Sequence, residues 1–125
     1  MNLIDSSGWL EYLAGGVNAD IFAPVIKATD TLVVPTLCMY EVFKRLLVQR
    51  GEESALQAIG IMSLGNITDL TREIAVNAAY ISSEIKFAMA ESIILATSRA
   101  YGATLWTQDG DFEDLDGVKY IEKNG

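Results

Sequence analysis

With 17 acidic residues and no histidine, this 125-residue chain has carboxylates as its main chemical equipment. Lacking imidazole, it cannot use Ser-His-Asp or Cys-His catalysis, a His-ligated zinc or imidazole acid–base chemistry. Five acids are distinguished by their surroundings. Asp5 closes the apolar run "MNLID", Glu41 interrupts "LCMYEVF", and Glu91 heads "AESIILA". Asp109 and Asp111 lie together in "QDGDF". An acid among apolar neighbours is costly to bury unless a partner or a metal neutralises it. If these acids cluster, their mutual repulsion raises some of their pKa values. Hard divalent cations relieve that repulsion, and Mg²⁺ or Mn²⁺ prefer oxygen ligands while keeping several waters. A carboxylate–metal site of this kind activates water and stabilises the charge of phosphoryl transfer, so it suits phosphodiester hydrolysis.

Each acid also has a plainer explanation. Asp5 can cap the first helix, and Glu41 can pair with Arg45 one turn on. Glu91 can answer the positive end of a helix, and Asp109 and Asp111 can be turn residues. What favours chemistry is that four acids fall at strand ends and helix starts of alternating elements.

Those elements follow from the spacing of apolar residues. "MNLID" reads as a short strand, and Ser6 or Ser7 can cap the helix continued by Trp9, Leu10 and Leu13, with Gly15-Gly16 as its stop. "NADIFAPVIKA" reads as a helix capped by Asn18, with Pro24 expected to kink it. "TLVVP" is a buried strand. Thr36 then caps a helix in which Leu37, Tyr40, Phe43 and Leu47 recur at three and four, ending at Gly51. "EESALQAIGIMSLG" is helical, "NITDL" a strand, and "TREIAVNAAYISSEIKFAM" and "AESIILATSRAYG" are helical. "ATLWT" and "GVKYIE" close the series as strands.

Strands alternating with helices predict a three-layer α/β/α sandwich with a mostly parallel central sheet, in one domain over residues 1–125. Ligands of such sheets bind beyond the carboxyl ends of the strands. Asp5 and Asp109 both stand at strand ends, so they meet if those strands are neighbours.

Composition narrows the partners. Nine Lys and Arg against 17 Asp and Glu give a net charge of −8, which disfavours bulk attraction to nucleic acid or anionic lipid. Local cations can still hold phosphates: Lys44, Arg45 and Arg50 follow Glu41, and Lys86 and Arg99 flank Glu91. Cys38 is the sole cysteine, so no disulfide forms within the chain, as in a reducing cytosol. "MNLIDSSGW" is not a signal peptide, and no window approaches a membrane span. A cytoplasmic protein without membrane association is expected.

Taken together, "LIDSSGWLEYL", "VVPTLCMYEVFKR" and "MAESIILATSRAYGATLWTQDGDF" resemble the PIN domain, and within it the VapC-type toxins of bacterial and archaeal toxin–antitoxin pairs. The resemblance covers essentially the whole chain and rests on the order of the acids. It implies a Mg²⁺- or Mn²⁺-dependent endoribonuclease that cuts RNA and is silenced by a VapB-like antitoxin, with the toxin itself a homodimer. By position it implies a site of Asp5, Glu41, Glu91 and Asp109, with Asp111 adjacent and Ser6 and Thr107 as hydroxyl support. Where the family most often has "ADS", this chain has "AES". The longer Glu91 arm leads to an expectation of metal binding with slowed cleavage, or of a PIN-fold binding module that acts through its partner alone. Haloacid-dehalogenase-like phosphatases resemble the pattern less, because they need an acid at position 7, where this chain has Ser7. Response-regulator receivers need an acid ending a middle strand, and "LVVP" has none.

Overall fold

A computed structural model describes residues 1–123. Its strands are β1 (Asn2–Ile4), β2 (Leu32–Pro35), β3 (Asn66–Thr68), β4 (Thr104–Thr107) and β5 (Val118–Tyr120). Its α-helices are α1 (Ser6–Leu13), α2 (Ala19–Lys27), α3 (Thr36–Arg50), α4 (Glu52–Met62), α5 (Arg72–Ile85) and α6 (Met89–Ala100). Short 3₁₀ turns lie at Thr29–Thr31 and Gly110–Phe112. The five strands form one sheet in the order β3-β2-β1-β4-β5, and every neighbouring pair is parallel.

That order determines where a ligand can sit. The chain begins in the middle at β1, moves outward through β2 to β3, then returns to place β4 on the other side of β1. Right-handed crossovers put the helices of the first run on one face and those of the return on the other. Accordingly α1 packs on α2 and α3, α3 packs on α4, and α5 packs on α6. The result is the three-layer α/β/α arrangement read from the sequence. The reversal occurs between β1 and β4, and a crevice opens at the carboxyl ends of strands flanking such a switch. Asp5 follows β1 and Gln108 follows β4 at that place.

The central strands are apolar because both of their faces are covered. Leu3, Ile4, Leu32, Val33, Val34 and Leu105 are each 1% exposed or less, and Trp9, Phe22 and Phe112 fill the space between layers. Gly8 lets α1 approach: a Cβ there would fall 2.6 Å from the Ile4 side chain. Burying one such Leu or Ile side chain contributes about 1.5–3 kcal/mol.

Local details differ from the sequence reading in ways that matter at the site. Asp5, rather than Ser6 or Ser7, caps α1, its side chain accepting from the Gly8 N–H. Thr36 is the first residue of α3, following Pro35 without a side-chain cap. Asn18 precedes α2, but its side chain makes no capping bond. Pro24 lies inside α2, which continues for three more residues to Lys27. Helix α3 buries Cys38, Val42 and Leu46, while Tyr40 and Leu47 lie exposed at 60% and 43%. The apolar stripe on α3 is thus wider than the face the core covers. No helix among the described residues is long and apolar enough to cross a membrane.

Candidate active site at the β1–β4 switch

The register between β1 and β4 builds the first half of the site. Ile4 pairs with Trp106 and the Asp5 N–H donates to the Trp106 carbonyl at 3.1 Å, which brings Asp5 beside Thr107. Asp5 is 4% exposed. Its Oδ1 accepts from the Ser7 hydroxyl at 2.7 Å and from the Gly8 N–H at 3.0 Å, and its Oδ2 accepts from the Thr107 hydroxyl at 2.5 Å. Burial raises the Asp5 pKa and nearby Asp109 adds to the rise, whereas the bonds from Thr107, Ser7 and Gly8 oppose it. An ionised carboxylate has about four acceptor positions. Three are used, leaving one on Oδ2.

The same hydroxyls hold the chain beyond β4. The Gln108 N–H donates to the Ser7 oxygen at 3.0 Å and the Asp109 N–H donates to the Thr107 oxygen at 2.9 Å. Each hydroxyl therefore donates to Asp5 and accepts from a backbone amide, so Asp5 and Asp109 are fixed relative to one another. Asp109 then caps the next turn, its Oδ1 accepting from the Asp111 N–H at 2.9 Å. Both plain readings were correct as local structure: Asp5 is a helix cap and Asp109 a turn residue. Neither role consumes the whole carboxylate.

The second half lies at the start of α6. Glu91, Asp109 and Asp111 each offer a carboxylate oxygen, and these three oxygens lie within 4.8 Å of one another. Glu91 belongs to the first turn of α6, where the helix dipole favours its ionised form. The surroundings win against the dipole: partial burial first, then Asp111 and Asp109, push the Glu91 carboxyl up to about 7. Its Oε2 is sealed from solvent and has no hydrogen-bond partner. A sealed carboxylate oxygen facing two other acids lacks a positive charge, and a divalent cation with oxygen ligands is the chemistry that fits.

Glu41 sits apart from this trio. Its Oε1 accepts from the Ser6 hydroxyl at 2.6 Å, on the α1 side of the crevice. It lines a groove of about 360 Å³ between α1 and α3, together with Ser6, Arg45, Arg50, Gln108 and Lys123. The structure thus gathers Glu91, Asp109 and Asp111, ties Asp5 to Asp109 through Thr107, and leaves Glu41 on the groove wall. Of the cations read as phosphate holders, Arg45 and Arg50 line this groove, and Lys44 stands 5.8 Å over the Tyr40 ring further out. Arg99 is eight residues beyond Glu91, about 12 Å along the helix, and lines a different groove with Asn77 and Tyr80. Lys86 ends α5 in a left-handed conformation, exposed. Cys38 is fully buried with its thiol pushed far up by burial, an inert core side chain.

Ser7, Asn18 and Gln108 were absent from the sequence-derived site, and all three take part in its framework. The serine doublet after Asp5 was visible as a capping signal. Only strand register reveals that Ser7 serves the far end of β4. Asn18 and Gln108 carry no local signal, because their partners are 90 residues apart.

Comparison with known proteins bears on the fold. The family model described as the PIN domain matches residues 3–118. By sequence, no curated protein matches the chain. Among solved structures, one described as a toxin–antitoxin complex from Klebsiella pneumoniae superposes with a TM-score of 0.81 at 22% identity, covering 98% of this chain and all of that one. VapBC2 from Rickettsia felis, bound to a DNA fragment from its promoter, gives a TM-score of 0.75 at 12% identity, with 97% of each chain covered. VapC20 of Mycobacterium tuberculosis, a toxin that cleaves the sarcin–ricin loop, gives 0.71 at 13% identity, with 90% of this chain and 92% of that one covered.

Proposed function

The chain belongs to the PIN domain family, and from that premise we propose that it is a metal-dependent endoribonuclease of the VapC type, a single domain over residues 1–125 that hydrolyses RNA phosphodiesters. The observation that carries this reading is the Glu91–Asp109–Asp111 trio, with its sealed and unpartnered Glu91 oxygen, beside Asp5 at the sheet's switch point. Glu91, Asp109 and Asp111, with the free position of Asp5, would hold Mg²⁺ or Mn²⁺. When bound, such an ion lowers the pKa of a ligated water and offsets charge on the reacting phosphate.

The chain's own residues do the rest. Ser7 and Thr107 aim Asp5 and oppose the rise in its pKa that burial causes, because a carboxylate accepting hydrogen bonds favours its charged form. Their bonds to the amides of Gln108 and Asp109 hold both strand ends to one geometry. With its carboxyl raised to about 7, Glu91 is partly protonated at neutrality, and a divalent cation held there would favour its ionised form. Glu41 has a second role, presenting its carboxylate on the groove wall with Ser6. Arg45, Arg50 and Lys123 form a cationic wall against which RNA phosphates can lie, which offsets the overall charge of −8.

A protein partner belongs to the same reading. The named relatives include toxin–antitoxin complexes, and by that likeness a VapB-like antitoxin silences this chain in the cytoplasm. Exposed Tyr40, Val48, Leu64, Tyr80 and Met89 leave more apolar surface than a lone small domain needs, which supports both an antitoxin interface and a homodimer. Co-expression with a small VapB-like antitoxin, followed by light scattering, tests this; a monomer that retains no partner would refute it.

The alternative, a PIN-fold binding module without cleavage, draws on Glu91 standing where the family usually has Asp. RNA incubated with the protein and Mg²⁺ or Mn²⁺ decides between them. Cleavage lost on chelation and restored by added cation supports the nuclease. Intact RNA under every condition supports the module.

A further inference from the structure

We propose that Gln108 is a specificity-determining residue: its side-chain amide, locked by Asn18, presents N–H donors to an oxygen of an RNA strand lying in the α1–α3 groove. This rests on the endoribonuclease reading above and names how that same site would choose its substrate.

The argument begins at Asn18, a polar residue only 3% exposed. Its side-chain nitrogen lies 3.0 Å from the Glu122 backbone carbonyl and 2.7 Å from the Gln108 side-chain oxygen. A backbone carbonyl can only accept, so the Asn18 group facing Glu122 must be its NH₂. The second hydrogen of that NH₂ then points at Gln108, and the Gln108 atom receiving it must be the acceptor, Oε1. The orientation of the Gln108 amide is thereby dictated from a distance of two residues in a chain of bonds. Asn18 is itself held, since its backbone N–H donates to the Glu11 carboxylate at 2.8 Å.

With Oε1 committed to Asn18, the Gln108 NH₂ is left over. Among the described residues it donates no hydrogen bond, although Gln108 is only 4% exposed and its own backbone N–H is tied to Ser7. Gln108 lines the groove shared by Ser6, Glu41, Arg45, Arg50 and Lys123. It is also the residue immediately before Asp109. A donor held rigid, one residue from the acidic trio and lining a groove that carries Arg45, Arg50 and Lys123 beside Glu11 and Glu41, can be satisfied by an acceptor oxygen of a nucleic acid. A base carbonyl and a phosphate oxygen share that chemistry. Rigidity is what turns the donor into a discriminator: a freely rotating glutamine would offer its own oxygen to a donor instead.

The test uses the full chain with Glu91→Gln to slow cleavage, and oligo-A, oligo-C, oligo-G and oligo-U single-stranded RNAs read by fluorescence anisotropy. Gln108→Glu is nearly isosteric and removes the donors, while Gln108→Leu removes donors and acceptor. Both are expected to bind about tenfold more weakly wherever the amide is used. Loss confined to some of the four RNAs identifies a base carbonyl. Equal loss on all four identifies a backbone oxygen, which carries no sequence information, and overturns the specificity role. Asn18→Leu, which frees the amide to rotate, should reproduce the direction at smaller size while keeping Gln108 itself. Affinities unchanged on all four RNAs in both Gln108 variants, with thermal melts showing folded protein, overturn the inference. If the protein without Glu91→Gln cleaves RNA but the Gln108 variants bind as before, only this inference fails. If it neither binds nor cleaves RNA, the nuclease reading fails with it.

Discussion

Asp5 and Glu91 are both acids beside Asp109, and both have pKa values raised first by burial, yet the protein treats them in opposite ways. Asp5, at the end of β1, is answered from within: two hydroxyls and a backbone amide donate to it. Glu91, at the start of α6, is left with a sealed oxygen that nothing in the described chain answers, and two more carboxylates within 4.8 Å. The first region is a hydrogen-bond network that fills all but one of the acceptor positions of Asp5 and stabilises the fold. The second is an unfinished one, whose missing element is a positive charge. In the proposed nuclease, the rigid part of the site lies in the protein and its completion would come from the ion.

The comparison is broken most severely at Asp5. Asp5→Ala removes the helix cap and leaves Ser7, Thr107 and the Gly8 N–H without their acceptor, so a loss of about 2–3 kcal/mol is expected in urea unfolding. Cleavage should vanish together with stability. A variant that unfolds at the parent's midpoint would show that the network is not what holds the β1–β4 end.

Glu91 should behave the other way. Mg²⁺ or Mn²⁺ at about a hundred times the dissociation constant should stabilise the parent by roughly 2.7 kcal/mol, since it binds only the folded state. Above pH 7, where Glu91 is mostly ionised, Glu91→Gln should melt higher than the parent without metal, because one of three repelling charges is gone, and should gain much less when metal is added. Equal gains in both proteins would remove Glu91 from the ion's surroundings.

A pH series sharpens the same contrast. The folded Glu91 carboxyl is raised to about 7 from an ordinary 4.5, so the folded state holds a proton that the unfolded chain has released. Metal-free stability is therefore expected to be undiminished below about 4.5, to fall as pH rises towards 7, and to level off above it. Glu91→Gln should flatten that fall. If the parent's stability is flat across this window, the trio is not crowded as described.

The smallest expected effect comes from Glu91→Asp. From the sequence, the shorter acid was expected to restore the family's usual arrangement and raise cleavage. In the structure the glutamate already reaches the trio, so shortening it draws the carboxylate back by about 1.5 Å. A few-fold weakening of metal binding, read by isothermal titration, is expected in its place. A gain in affinity would mean that the backbone at α6 follows the side chain.

Much of this was legible in the chain before any coordinates. Apolar runs of four or five residues between helical stretches specify strands, and their alternation with helices specifies a parallel α/β sheet, because a parallel connection needs a crossover. Four acids near element ends, and Glu41 inside α3, were found by type and position alone, since an acid among apolar residues is costly and so is kept for a reason. The helix boundaries at Gly51 and Thr71 follow from local chemistry, and both hold. What no local pattern contains is register. Whether Asp5 meets Thr107 depends on Ile4 pairing with Trp106, about a hundred residues on, and a one-residue slip would turn that hydroxyl to the opposite face. For the same reason Glu41 read as an equal of Glu91, although α3 sets it against Ser6 while α6 delivers Glu91 to Asp109 and Asp111. The sequence by itself determined which groups this protein brings to its chemistry. Only the folded sheet decided which of them meet, because those contacts join residues far apart in the chain and depend on strand order and register rather than on any neighbouring residue.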